Sequence, residues 1–132
     1  MILQDKVLTL RTESVALEIL PVLENGWTQV YFIAENQRYF LGAETLNYIL
    51  NHLLDALGEK QTKPAGSIEG EKVFWILSLC ETHQAIYAVD TGKAMRFYIQ
   101  NKNAEIIFRY NLSVQERHSW QQKIVEFLSL NN

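Results

Sequence analysis

Residues 94–110 read AMRFYIQNKNAEIIFRY, and their alternation decides how the rest of the chain is read. Met95, Phe97 and Ile99 alternate with Arg96, Tyr98 and Gln100, and Ile106, Phe108 and Tyr110 alternate with Ile107 and Arg109. A period of two is the signature of a strand with one apolar face. Lys102-Asn103 between the two runs predicts a two-residue hairpin turn, which sets Ile99 opposite Ile106 and Phe97 opposite Phe108. In that register Arg96 falls directly opposite Arg109, and like charges across a ladder call for an acid, an anion or solvent between them.

The same reading extends outward. Residues 73–81 and 84–90 form further strands, and Thr91-Gly92 sets Phe97 opposite Ile86. Val73, Trp75, Leu77, Leu79, Ile86 and Ala88 then join the apolar face, while Ser78, Cys80 and Tyr87 join Arg96, Tyr98, Ile107 and Arg109 on a mixed one. A three-residue loop with a bulge at Thr91-Gly92 would instead exchange Tyr87 with Ile86. Downstream, Ser113-Val114-Gln115-Glu116 has the capping-box spacing, and Trp120, Ile124, Phe127 and Leu128 form the apolar stripe of a closing helix.

The first half repeats this order. Strands are expected at 6–11, 14–20, 27–34 and 38–41, with Asn25-Gly26 as a tight turn that sets Ile19 opposite Phe32. Leu17, Ile19, Val30 and Phe32 share one side, while Trp27, Gln29, Tyr31 and Ile33, extended by Arg38 and Phe40, share the other. Residues 43–57 carry Leu46, Ile49, Leu50, Leu53 and Leu57 at helical spacing, with Gly58 as the expected C-terminal cap. Residues 59–72, with Pro64, Gly66 and Gly70 and Ile68 as their main apolar residue, read as a polar connection. The expected fold is a single α+β domain over 1–132, of order ββββαββββα. Its two antiparallel four-stranded units, 1–58 and 73–130, each end in one amphipathic helix.

Composition restricts what such a domain does. Its 132 residues are 48% hydrophobic and 20% charged, which suits one soluble domain. The single cysteine, Cys80, forms no intrachain disulfide, and a cytoplasmic setting is expected. The first ten residues lack a basic start and a small-residue cleavage site, and no apolar run is long enough to span a membrane. A net charge of −3 withholds the global attraction on which non-specific nucleic-acid affinity rests.

Chemistry-bearing clusters are few. P-loop, dinucleotide-binding, Cys-x-x-Cys and metalloprotease motifs are all missing from the sequence. Cys80 and His83 flank a turn but point to opposite faces of a strand, and His52, Asp55 and Glu59 read as a solvated helix face. No catalytic residue, cofactor or metal site is therefore expected, and the chain reads as a non-enzymatic binding module. Its candidate ligand-binding residues are Trp27, Tyr31, Arg38, Tyr87, Arg96, Tyr98 and Arg109, aromatics for stacking and guanidiniums for phosphates or carboxylates.

The element order resembles the Whirly and Pur-type group of single-stranded nucleic-acid-binding proteins, in which a strand-rich unit ending in a helix occurs twice. That topological resemblance implies single-stranded DNA or RNA as a partner, gripped on exposed sheet faces within a homo-oligomer. The residues alone leave two alternatives open: a protein-interaction or assembly subunit, and a small-anion binder built on Arg96 and Arg109.

Overall fold

The alternation at Trp27–Ala34 is reproduced residue by residue in burial: Thr28, Val30, Phe32 and Ala34 are sealed, and the residues between them are not. In the computed structural model this strand is one of ten among the described residues, accompanied there by two helices. The structure describes residues 8–58, 66–68, 70–73, 75–77, 85–90 and 95–130, the strands between 66 and 90 by their backbone pairing. In chain order the elements are β1 (Leu8–Arg11), β2 (Val15–Ile19), β3 (Trp27–Ala34), β4 (Gln37–Thr45), α1 (Leu46–Leu57), β5 (Gly66–Ile68), β6 (Glu71–Val73), β7 (Trp75–Leu77), β8 (Ala85–Asp90), β9 (Met95–Gln100), β10 (Ile106–Leu112) and α2 (Val114–Leu130). All pairings are antiparallel, in the orders β1-β2-β3-β4, β10-β9-β8-β7 and β5-β6.

The α+β class and the antiparallel pairing match the expectation, but the order ββββαββββα does not. The segment expected as a polar connection contains the β5-β6 hairpin, turned by Gly70 at φ 85, a value that favours glycine. Of the strand expected at 73–81, Val73 ends β6 and residues 75–77 form β7, while 78–81 lie outside the described residues. Strand β4 continues to Thr45, so α1 begins at Leu46 rather than at residue 43. A bulge in β4 leaves Leu41 without a ladder partner between Phe40 and Gly42, and Gly42 holds φ 126 there.

Each expected hairpin register is displaced by two residues, and the cause is loop length. Ile19 pairs with Val30, not Phe32, because Asn25 and Gly26 turn the chain inside a wider loop. There Leu20 N–H donates to Gln29 O at 3.0 Å and Leu23 N–H to Trp27 O at 2.7 Å, and the Thr28 hydroxyl donates to Leu20 O. Asp90 pairs with Met95, so Phe97 lies opposite Ala88 rather than Ile86. At the last hairpin Asn101 organises a turn through Glu105: its Oδ1 accepts from Asn103 N–H at 2.9 Å and Glu105 N–H at 3.0 Å. A bulge between Ile106 and Phe108 follows, and Phe97 meets Tyr110 instead of Phe108. An even displacement leaves side chains on their expected faces; Ile106, ahead of the bulge, is the exception and pairs with Gln100 rather than Ile99.

One apolar core draws on both helices and on the sheets before and after α1. Leu10, Leu17, Ile19, Phe32 and Leu41 meet Ile49, Leu50 and Leu53 of α1, Phe97 and Ile99 of β9, and Trp120 and Ile124 of α2. Phe32 and Phe108 are tilted rings at 5.8 Å, and Phe97 stacks with Trp120 at 6.0 Å. Each such large apolar side chain contributes roughly 1.5–3 kcal/mol of burial free energy. The capping box forms as its spacing predicts: Ser113 N–H donates to Glu116 Oε1 at 2.9 Å, and Glu116 N–H donates to Ser113 Oγ at 3.1 Å. Gly58 is the C-terminal cap of α1, its N–H donating to Asp55 O at 3.3 Å, and its φ of −71 and ψ of 161 lead the chain out extended.

Candidate functional site

Two places gather the expected binding residues. The first is the outer face of β2-β3-β4, where the alternation leaves Trp27, Tyr31 and Ile33 of β3 beside Glu18 of β2 and Arg38 and Phe40 of β4. Tyr31 lies opposite Phe40, their rings tilted at a centroid distance of 5.2 Å. The Arg38 guanidinium sits 4.1 Å over the Tyr31 ring and reaches across β3 to Glu18, Nη2 to Oε1 at 2.8 Å. With the arginine side chain 52% exposed, an ion pair of this kind contributes at most about 1 kcal/mol. Its effect is on shape and charge: the cation is held over an aromatic ring and paired with a carboxylate. Trp27 is 42% exposed further along the same strand face.

The second place is the β9-β10 hairpin, and here the expected site is corrected. Arg96 and Arg109 are not opposite each other: Arg96 pairs with Asn111 and Arg109 with Tyr98, because of the bulge after Ile106. The two arginines still share a face as diagonal neighbours. Arg96 donates from Nε to Asn111 Oδ1 at 2.9 Å and from Nη1 to the Tyr98 hydroxyl at 3.4 Å, while the Arg109 guanidinium stands 5.8 Å from the Tyr98 ring centre. Tyr98 itself is fully buried, so its ring offers no open face to a base. Tyr87 lies opposite Tyr98 in the backbone register, with its side chain outside the described residues. Arg96, Arg109, Tyr110 and Asn111 line a concavity of about 280 Å³.

Other expected residues do not converge. Cys80 and His83 lie outside the described residues. His52 stacks on Tyr48 at 4.0 Å within α1, its Nδ1 3.1 Å from Tyr48 O. Among the described residues no three His, Cys, Asp or Glu side chains gather as metal ligands, and no helix is long and apolar enough to cross a membrane.

Two arrangements escaped the sequence reading. Arg117 is buried in α2 and donates from Nε to Leu57 O at 2.7 Å and from Nη2 to Gly58 O at 2.5 Å, joining α2 to the end of α1. Its signal was positional: three residues before Trp120 and seven before Ile124, it lies on the apolar stripe. The Tyr110 hydroxyl lies 3.0 and 3.1 Å from the Glu116 carboxylate oxygens and 3.1 Å from Thr12 Oγ1. Burial, and then the carboxylate that accepts its proton, raise its pKa above the ordinary 10.0. Compared with known protein families, with curated proteins and with solved structures, the chain matches none.

Proposed function

We propose that this protein is a non-enzymatic assembly subunit whose outer β2-β3-β4 face packs against the same face of a second copy. The observation that carries the reading is the Glu18-Arg38-Tyr31-Phe40 cluster, which places half-buried aromatic rings and both members of an ion pair on one sheet face. A two-fold interface needs a patch that complements itself, so each polar group must find its counterpart on an identical surface. Arg38 and Glu18 meet that condition by exchanging partners across the axis. Tyr, Trp and Arg are also the residues that dominate protein interfaces. Arg38 is already held in place, so little side-chain freedom is lost on binding.

Single-stranded nucleic acid, the partner implied by the Whirly and Pur-type resemblance, is supported less well. The arginine on this face is already paired with a carboxylate, the chain carries a net charge of −3, and Tyr98 is sealed. Three strands roughly 4.8 Å apart and eight residues rising roughly 3.4 Å each give a face of about 400 Å² in projection. That is less than the roughly 800 Å² per partner of a standard interface, so the association is reversible and follows concentration.

Sedimentation velocity over a concentration series tests this. The wild type is expected to pass from monomer to dimer, and Tyr31→Ala with Phe40→Ala to remain monomeric with an unchanged circular dichroism spectrum. Arg38→Glu weakens the dimer, and adding Glu18→Arg to it restores association. A wild type that stays monomeric at every concentration, or a double alanine variant that dimerises as well as the wild type, overturns the proposal. Salt-sensitive retention of a labelled oligonucleotide by that monomer would put the nucleic-acid reading in its place.

A further inference from the structure

The loop between β2 and β3 carries Asn25-Gly26, and Asn25 is the only asparagine of the chain that glycine follows. With no side chain to shield it, a glycine amide nitrogen is free to attack the side-chain amide before it and close a five-membered imide. Nothing lies within 4 Å of where a Cβ on Gly26 would stand, and Asn25, Gly26 and Trp27 are exposed, so water reaches both groups. Three hydrogen bonds hold the turn. Gly26 N–H donates to Leu23 O at 2.9 Å, Leu23 N–H to Trp27 O at 2.7 Å and Trp27 N–H to Asn25 Oδ1 at 3.0 Å. The first occupies the nitrogen that would attack, and the last fixes the rotation of the side chain it would attack, an asparagine bonded to the backbone two residues on.

From this we infer that Asn25 is a site of spontaneous deamidation, gated by the hydrogen bonds of its own turn. The steps balance without a cofactor. Gly26 N gives its proton to hydroxide and forms a bond to Asn25 Cγ, while Asn25 Nδ2 takes a proton from water and leaves as ammonia. Water then adds to one imide carbonyl, and cleavage of that carbon's bond to nitrogen yields aspartate or iso-aspartate. Either product carries one negative charge more than asparagine. Aspartate keeps Oδ1 in reach of Trp27 N–H, whereas iso-aspartate routes the main chain through the side-chain methylene and lengthens the turn by one atom. That atom disturbs the Leu23-Trp27 pairing that closes the loop. Ring closure requires Gly26 N–H to leave Leu23 O and Asn25 Oδ1 to leave Trp27 N–H, so the rate follows the population of the opened loop. The chemistry needs no second copy of the chain and stands whether or not the β2-β3-β4 face associates.

Incubating the full chain at mildly alkaline pH, with and without denaturing urea, and mapping its peptides by mass spectrometry tests this. The peptide holding Asn25 is expected to gain the mass of an amide becoming an acid. In the folded chain that gain is slower by about tenfold or more, because loop opening precedes the reaction. Asn25→Gln, whose ring would have six members, removes the gain in urea. The iso-aspartyl product, separated by its added charge, unfolds at a lower temperature than Asn25→Asp. The inference is overturned if Asn25 keeps its amide in urea or another asparagine reacts faster there. It is equally overturned if the folded chain reacts as fast as the unfolded one, or if the iso-aspartyl product unfolds like Asn25→Asp.

Discussion

Arg117 is the most consequential polar side chain in the interior. The last carbonyls of a helix have no partners within it and carry its negative pole, and here a buried guanidinium supplies the donors. Arg117→Met keeps the length and removes them, so urea unfolding should show a loss of about 3 kcal/mol, from two carbonyls left without partners. Tyr110 makes a smaller and pH-dependent contribution. Its proton is held in the folded state, since burial and the adjoining Glu116 carboxylate raise its pKa above 10.0. The stabilisation is therefore complete below pH 10 and is lost as pH rises through the raised value. Tyr110→Phe is expected to cost about 1 kcal/mol or less at neutral pH. The gap to the wild type should close in alkaline titration as phenolate absorbance grows.

At the level of elements, the sequence revealed faces but not registers. Alternation places Phe97 on the apolar side and it is buried there, yet it meets Ala88 and Tyr110 instead of Ile86 and Phe108. Side-chain parity survives a two-residue displacement, and alternation reports parity alone. Loop length is set by hydrogen bonds that no periodicity encodes, such as those Asn101 makes to Asn103 and Glu105. The capping box was legible because it is a local pattern of two side chains on two amides. Burial of Tyr98 was not, because it depends on what covers the outer side of a sheet. The β4 bulge was equally invisible, and it rests on Gly42 at φ 126. Gly42→Ala should cost about 1–3 kcal/mol in thermal unfolding, the usual effect of forcing an L side chain into that conformation.

Across the whole molecule, the core joins strands on both sides of α1, so neither unit buries its apolar face without the other. Phe32 of β3 rests on Phe108 of β10, and Trp120 donates its indole N–H to Arg11 O at 3.3 Å. Of the candidate surface residues, the Trp27 face was legible as alternation in a single strand, while the arginine concavity depended on a bulge and only its shared face was legible. The contrast between Trp27, 42% exposed, and Trp120, 1% exposed, has a practical result. The chain carries its own optical probe: acrylamide should quench the red-shifted Trp27 component of emission, identified by its loss in Trp27→Phe, and spare the blue-shifted light of Trp120. Whatever comes to rest on that strand would then announce itself by shielding one indole, without a label or any change to the sequence.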